Sequence, residues 1–190
     1  MGEGAKGRWP SPQNPIPMPM TRILLTGPPQ CGKTTVVQRV LARFAGRAAG
    51  FYTREVRGAG RRVGFEIVTL DGQVAWLSHV DFGGPHRVGK YGVSLENLHR
   101  VGLPALEPAP GVELIVVDEI SKMECLSPRF VVAMERLCAA PVSLIATVAQ
   151  KGGGFIQRVK EKPDGILIDV TPANRQELPQ KILEMLMGVK

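Results

Sequence analysis

The sequence predicts an α/β fold: a doubly wound, mostly parallel sheet carrying a β-hairpin or meander insertion. Three observations predict it. The stretch GPPQCGKTT at Gly27–Thr35 satisfies the pattern G-x-x-x-x-G-K-S/T, with Gly27, Gly32, Lys33 and Thr34 in the defining places. It sits between a short apolar run, Arg22–Thr26, and a helical stripe of Val36, Val37, Val40, Leu41 and Phe44. Beyond it, apolar strand-like runs alternate with helical patterns, as crossover connections in a parallel sheet require.

Taken in order, residues 1–20 hold five of the sixteen prolines and three glycines with hardly any periodicity. They are expected to form a flexible leader, with a single domain over residues 21–190. A chain of 190 residues accommodates one well-buried core. After the first helix, Phe51–Val56 and Val63–Leu70 read as strands around a glycine tip flanked by charge, Arg57–Arg62. Asp71-Gly72 is a second turn and Gln73–Ser78 a third strand, so a meander breaks the strand–helix rhythm here. The segment His79–Gly92 reads as loop, with Arg87 and Lys90 in it. Ser94 caps a helix from Leu95 to Leu103, which Pro104 kinks or ends. Val112–Val117 is the most strand-like segment; Ser127-Pro128 then opens a helix through Phe130, Val131, Met134, Leu137 and Cys138. Val142–Thr147 is another buried strand, Phe155–Lys162 a helix, Ile166–Val170 a strand, and Pro179–Met187 a closing helix stopped by Gly188.

The glycine loop carries chemistry because its backbone N–H groups turn inward onto phosphate oxygens at a helix N-terminus. Gly27, Pro28, Pro29, Gln30, Cys31, Gly32, Lys33, Thr34 and Thr35 are therefore the candidate nucleotide contacts. Lys33 would reach the β- and γ-phosphates, and the Thr34 hydroxyl would ligate Mg²⁺. Such a loop needs a carboxylate after a buried strand, and Leu114–Glu119 supplies a pair. Asp118 would hold Mg²⁺ or its water, and Glu119 would orient and deprotonate the attacking water. No N-K-x-D tetrapeptide for guanine recognition occurs in the chain. Thr147 or Gln150, after the next strand, could sense the γ-phosphate or simply cap a loop. Four arginines lie between residues 51 and 62 (Arg54, Arg57, Arg61, Arg62), and Arg54, within a strand, leads as a candidate for neutralising transition-state charge.

Net charge is +7, which suits a nucleoside triphosphate, nucleic acid or an acidic partner alike. The basic residues form no stripe and aromatics are only 5 %, which argues against a nucleic-acid surface. No run of eighteen apolar residues suggests a membrane span, and the N-terminus lacks a signal peptide's apolar core. Three cysteines without a C-x-x-C pair indicate reduced thiols and a cytoplasmic protein, and the three histidines show no zinc-ligand spacing. Cys31, inside the loop, reads as a space-filler. A monomeric, Mg²⁺-dependent enzyme that activates water against a bound nucleoside triphosphate is the leading function. A nucleotide or nucleoside kinase using the same loop, and an ATP-switched nucleic-acid-binding module, are the alternatives.

Four segments carry a family resemblance: GPPQCGKTT, then GFYTREVR at Gly50–Arg57, VGKYGV at Val88–Val93, and VVDEISKME at Val116–Glu124. Together, from about Thr21 onward, the chain resembles the small P-loop nucleoside-triphosphatases that include the cancer-related nucleoside-triphosphatase and its thermophile relatives. The resemblance implies a RecA-like P-loop fold and Mg²⁺-dependent hydrolysis of several nucleoside triphosphates to diphosphate and phosphate. It adds Lys122 as a further phosphate-site candidate. The family usually has Gly-Val where this chain has Gln30-Cys31, and glycine where it has Ser121, so loop geometry and the backbone approach to the γ-phosphate are the points of departure.

Overall fold

The apolar runs assemble into one nine-stranded sheet in a computed structural model of the chain, which describes residues 20–188. The expected leader, apart from Met20, lies outside the described residues. The strands are β1 (Arg22–Thr26), β2 (Ala48–Gly58), β3 (Arg61–Thr69), β4 (Val74–His79), β5 (Arg87–Val88), β6 (Tyr91–Val93), β7 (Leu114–Ile120), β8 (Ser143–Val148) and β9 (Ile166–Asp169). Their order across the sheet is β5-β6-β4-β3-β2-β7-β8-β1-β9. From β2 to β9 every neighbouring pair is parallel; from β2 out to β5 every pair is antiparallel. β2 belongs to both halves and joins the meander to the parallel core.

Helices cover both faces. On one lie α1 (Lys33–Leu41) and α5 (Leu178–Met187), whose Val36, Val37, Val40, Ile182 and Leu186 pack with Ile23, Leu25, Leu114, Val116 and Ile145. On the other lie α2 (Leu95–Asn97) with the turns that follow it, α3 (Pro128–Ala139) and α4 (Phe155–Lys160). Their Leu98, Phe130, Met134, Leu137 and Ile156 meet Leu24, Phe51, Ile115, Val117, Leu144 and Ala146. Residues alternate between the two clusters along β1, β7 and β8, the period-2 pleat of strands buried on both sides. The doubly wound P-loop architecture is the one the sequence pattern predicts, and β8 stands between β1 and β7.

Four local expectations change. Residues 79–92 are not all loop: Arg87–Val88 and Tyr91–Val93 form a small hairpin that adds two strands to the meander's edge. The helix expected over 95–103 is α-helical only through Asn97; it widens into a π turn over Leu98–Gly102, where Leu103 N–H bonds Leu98 C=O at 2.9 Å. Pro104 does not end the chain's coil but opens a 3-10 turn, a first position where its missing N–H costs nothing. β7 also runs three residues beyond the expected Val117, because Asp118 still pairs with Tyr52 of β2 and Ile120 with Val148 of β8.

Candidate functional site

The phosphate loop joins the carboxyl end of β1 to the first residue of α1, Lys33. Only glycine fits at position 27: φ is +139°, and a Cβ there would lie 2.7 Å from Val170 O and 2.9 Å from Cys31 Sγ. Cys31 is buried in the cluster with Ile23, Val36 and Val170, so its side chain fills space beneath the loop. Gly32 caps α1 in the left-handed conformation, and no acidic residue occupies the helix's first turn, which leaves its N-terminal N–H groups open to an anion. The Lys33 ammonium lies back along the loop, donating to the carbonyls of Gly27 (3.1 Å) and Pro28 (3.4 Å). It also pairs with Glu119 Oε1 at 3.4 Å.

Asp118 and Glu119 project from β7 into the same cleft of about 700 Å³ that Pro29, Gln30, Gly32, Lys33, Thr34 and Thr35 line. The peptide bond between the two acids is cis. Asp118 is 2 % exposed. Its Oδ1 accepts a hydrogen bond from the Thr147 hydroxyl, while Oδ2 is buried without a hydrogen-bond partner among the described residues. Burial pushes the Asp118 carboxyl above its ordinary range, against the opposing pull of the Thr147 and Thr34 hydroxyls and the Lys33 charge. Burial also raises Glu119; Lys33 opposes this, Asp118 adds to it, and Lys160 opposes it again. Thr147, 0 % exposed, therefore acts on Asp118 and not as a loop cap. Gln150 is exposed, and its carbonyl accepts from Lys160 at 2.8 Å.

Opposite the loop, β2 and β3 supply a polar wall of Tyr52, Thr53, Arg54, Glu55, Arg62 and Phe65. Arg54, first among the arginines by sequence, is committed sideways: its Nε and Nη2 both bond Glu66 Oε2, at 3.1 and 2.7 Å. Arg62 is the better placed. It rests over the Phe65 ring at 5.4 Å, and its Nε lies 3.1 Å from Glu55 Oε2 without forming an aligned hydrogen bond. Glu55 is shared, since its other oxygen accepts from Arg57 at 2.6 Å. Neither Arg57 nor Arg61 lines the cleft, and Lys122 is exposed and does not line it either. Sequence reasoning passed over Arg62 because it favoured a mid-strand position, yet Arg62 sits one residue into β3 and leans inward.

Glu124 was missed as well. It is 2 % exposed, and its Oε2 accepts from both Ser121 N–H (3.0 Å) and Ser121 Oγ–H (2.7 Å), closing the turn that follows the acidic pair. The signal was available in the run VVDEISKME, where a glutamate five residues after Glu119 carries no obvious solvent role. Ser121 thus spends its hydroxyl on this clamp.

A family model described as NTPase matches residues 22–183. The nucleoside-triphosphatase THEP1 of Thermotoga maritima is 40 % identical over 166 residues, spanning 87 % of this chain and 95 % of the relative. The human cancer-related nucleoside-triphosphatase is 36 % identical over 173 residues, spanning 82 % and 91 %. The crystal structure of THEP1 from Aquifex aeolicus superposes with a TM-score of 0.80 at 33 % identity, covering 87 % of this chain and 99 % of that one. The solution structure of the human protein gives 0.76 at 33 % identity, covering 90 % and 99 %. The loop, the acidic pair and the meander that walls them in fall inside the matched span, and the chain belongs to this NTPase family of nucleoside-triphosphatases.

Proposed function

We propose that the chain hydrolyses nucleoside triphosphates (ATP, GTP, CTP and UTP) to diphosphate and phosphate in the cleft between the loop and the meander. One observation carries the reading: Lys33, Asp118 and Glu119 converge there, and the buried Asp118 keeps one carboxylate oxygen unpartnered. A buried anionic oxygen left unpaired is costly unless a cation or donor arrives. Asp118 beside Thr34 fits Mg²⁺, a hard cation with oxygen ligands that takes the rest of its shell from water and phosphates. Bound there, the metal would neutralise charge on the β- and γ-phosphate oxygens.

The protein's own groups do the remainder. The loop N–H groups hold the phosphates, and Lys33 leaves its carbonyl contacts for them. Glu119 takes a proton from water as the water oxygen bonds to the γ-phosphorus, and the bond to the β-phosphate oxygen breaks with the diphosphate leaving. Thr147 fixes the Asp118 carboxylate, and Arg62 meets charge that develops on the far side of the phosphate. The acidic and basic side chains of the meander wall are paired with each other, which favours water over a separate acceptor such as a kinase would grip. The reading takes the chain to work as a monomer, with residues 21–190 as the working unit. The test is phosphate release from the four triphosphates with no acceptor added, with and without Mg²⁺. Release that needs neither metal nor triphosphate, or that needs an acceptor, would defeat the reading.

A further inference from the structure

The cleft accounts for the phosphates and leaves the nucleoside unplaced. Topology sets its direction. In an open parallel sheet the ligand lies across the carboxyl ends of the strands. Here β1, which ends in the phosphate loop, has β8 and then β7 on one side and β9 on the other. Lys33, Asp118 and Glu119 put the γ end of the triphosphate toward β7. The opposite end of the phosphate chain then points toward the carboxyl end of β9, where the chain turns through Thr171–Arg175.

That turn is firmly held. Val170 N–H bonds Thr26 C=O (2.8 Å), Thr171 N–H bonds Asn174 Oδ1 (2.9 Å), the Asn174 amide donates to Asp169 C=O (2.8 Å), and Arg175 N–H bonds Thr171 C=O (3.0 Å). It lays the Arg175 side chain over Gly32: a Cβ at Gly32 would stand 3.3 Å from Arg175 Cδ. Among the described residues the guanidinium has one hydrogen-bond partner, Cys31 C=O at a long 3.5 Å. Among the described residues no carboxylate pairs with it, unlike Arg54, Arg57 and Arg62 of the meander. An exposed planar cation held at the edge of a phosphate loop has its faces free. We infer that Arg175 is a nucleobase-binding residue of this site, stacking its guanidinium on the base of the bound triphosphate.

The inference rests on the phosphate-loop reading and extends it. A guanidinium face attracts any base, because every base offers a π-surface and no hydrogen-bond pattern is read. Recognition of this type accepts adenine, guanine, cytosine and uracil without an N-K-x-D element.

The experiment compares Arg175→Ala and Arg175→Lys with the unaltered chain for Mg²⁺ complexes of ATP, GTP, CTP and UTP, and of inorganic tripolyphosphate, which has the phosphates and no base. Arg175→Ala should weaken binding of all four nucleotides by about 5- to 30-fold, the reach of a partly desolvated cation–π stack. Its effect on hydrolysis should fall on KM and not kcat, and its affinity for tripolyphosphate should stay within about twofold of the parent. Arg175→Lys, which keeps the charge and loses the planar face, should recover less than half of the loss. Equal losses for nucleotides and tripolyphosphate would overturn the inference in favour of a phosphate or loop-shaping role, and so would nucleotide binding unaffected by Arg175→Ala. A parent chain that binds neither ligand would remove the phosphate-loop reading itself.

Discussion

The parallel and antiparallel halves of the sheet treat their charges in opposite ways. In the antiparallel half, charges close on each other: Arg54 on Glu66, and Arg57 and Arg62 on the two oxygens of Glu55. These pairs are substantially exposed, and such pairs are worth about 0–1 kcal/mol each. Beside the phosphate loop of the parallel half, charged groups are left with open positions. Asp118 is buried with one oxygen unpartnered, and Lys33 is held by two carbonyls and a half-buried glutamate. The difference teaches where a ligand is needed. The unpaired Asp118 oxygen beside the loop is costly until something binds, whereas the exposed ion pairs of the meander are weak and cost little to exchange when a phosphate arrives.

Breaking the open half should therefore have the largest effect. Lys33→Ala should abolish turnover and weaken Mg²⁺–triphosphate binding, measured by nucleotide titration and phosphate release, while circular dichroism keeps the native signature. The ammonium does more than await ligand, since it also neutralises Glu119 at 3.4 Å, so a modest loss of melting temperature is expected as well. Unchanged hydrolysis would remove the loop from the mechanism. Next, Glu119→Gln should bind triphosphate normally and lose about 10²–10⁴ in single-turnover rate, the worth of a general base. Asp118→Asn should lose Mg²⁺ affinity together with rate. Should Glu119→Gln lose binding in step with rate, Glu119 belongs to the binding site and not to the chemistry.

Testing the closed half sharpens the contrast. Arg62→Ala should slow single-turnover hydrolysis by about 10- to 100-fold, less than the roughly 10³–10⁵ of a dedicated arginine finger, because Glu55 shares its charge. Arg54→Ala should cost less than about threefold, since its fork is spent on Glu66. The reverse ranking would mean that Arg54 swings off Glu66 when nucleotide binds.

The same division explains what could be read from the sequence. The parallel half was legible: glycine spacing, β-branched runs and an acidic pair after a strand are local patterns, and local patterns decide where Lys33, Thr34, Asp118 and Glu119 lie. The meander's existence was legible from Asp71-Gly72 and the glycine tip, but not which of its arginines leans inward. That depends on register, and β2 and β3 carry an irregularity between Val56 and Arg57 that shifts the alternation just before the tip. Arg175 was illegible for a different reason. It meets Gly32 across 143 positions of sequence, through the pairing of β9 with β1, and nothing near it in the chain announces a loop to lie on. The hairpin of β5 and β6 was too short to show periodicity.

An effect on stability and not on rate concerns a group that neither half's chemistry uses. Glu124 is buried behind the acidic pair, and its carboxyl is pushed up to about 7, chiefly by burial, against the pull of its Ser121 hydrogen bonds and with a further upward push from Glu119. The Cys125 thiol beside it is raised to about 12 and stays neutral, so it supplies no competing charge. A carboxyl whose folded pKa exceeds its unfolded one holds its proton longer in the native state. Between about pH 4.5 and 7 the unfolded chain therefore binds fewer protons, and this group makes stability fall as pH rises through that window and level off above it. The full shift corresponds to about 3 kcal/mol, an upper figure for a buried group. Glu124→Gln keeps an acceptor for Ser121 and cannot titrate, so every other ionisation cancels in the comparison with the parent. Denaturant unfolding of both proteins at pH 5 and pH 8 should show Glu124→Gln gaining about 1–3 kcal/mol on the parent at the higher pH. Glu124→Ala, which leaves Ser121 N–H without its partner, should be destabilised at both. A parent-to-Gln difference that does not change between the two pH values would show that Glu124 ionises normally in its pocket, and the clamp on Ser121 would then be an ordinary charged hydrogen bond.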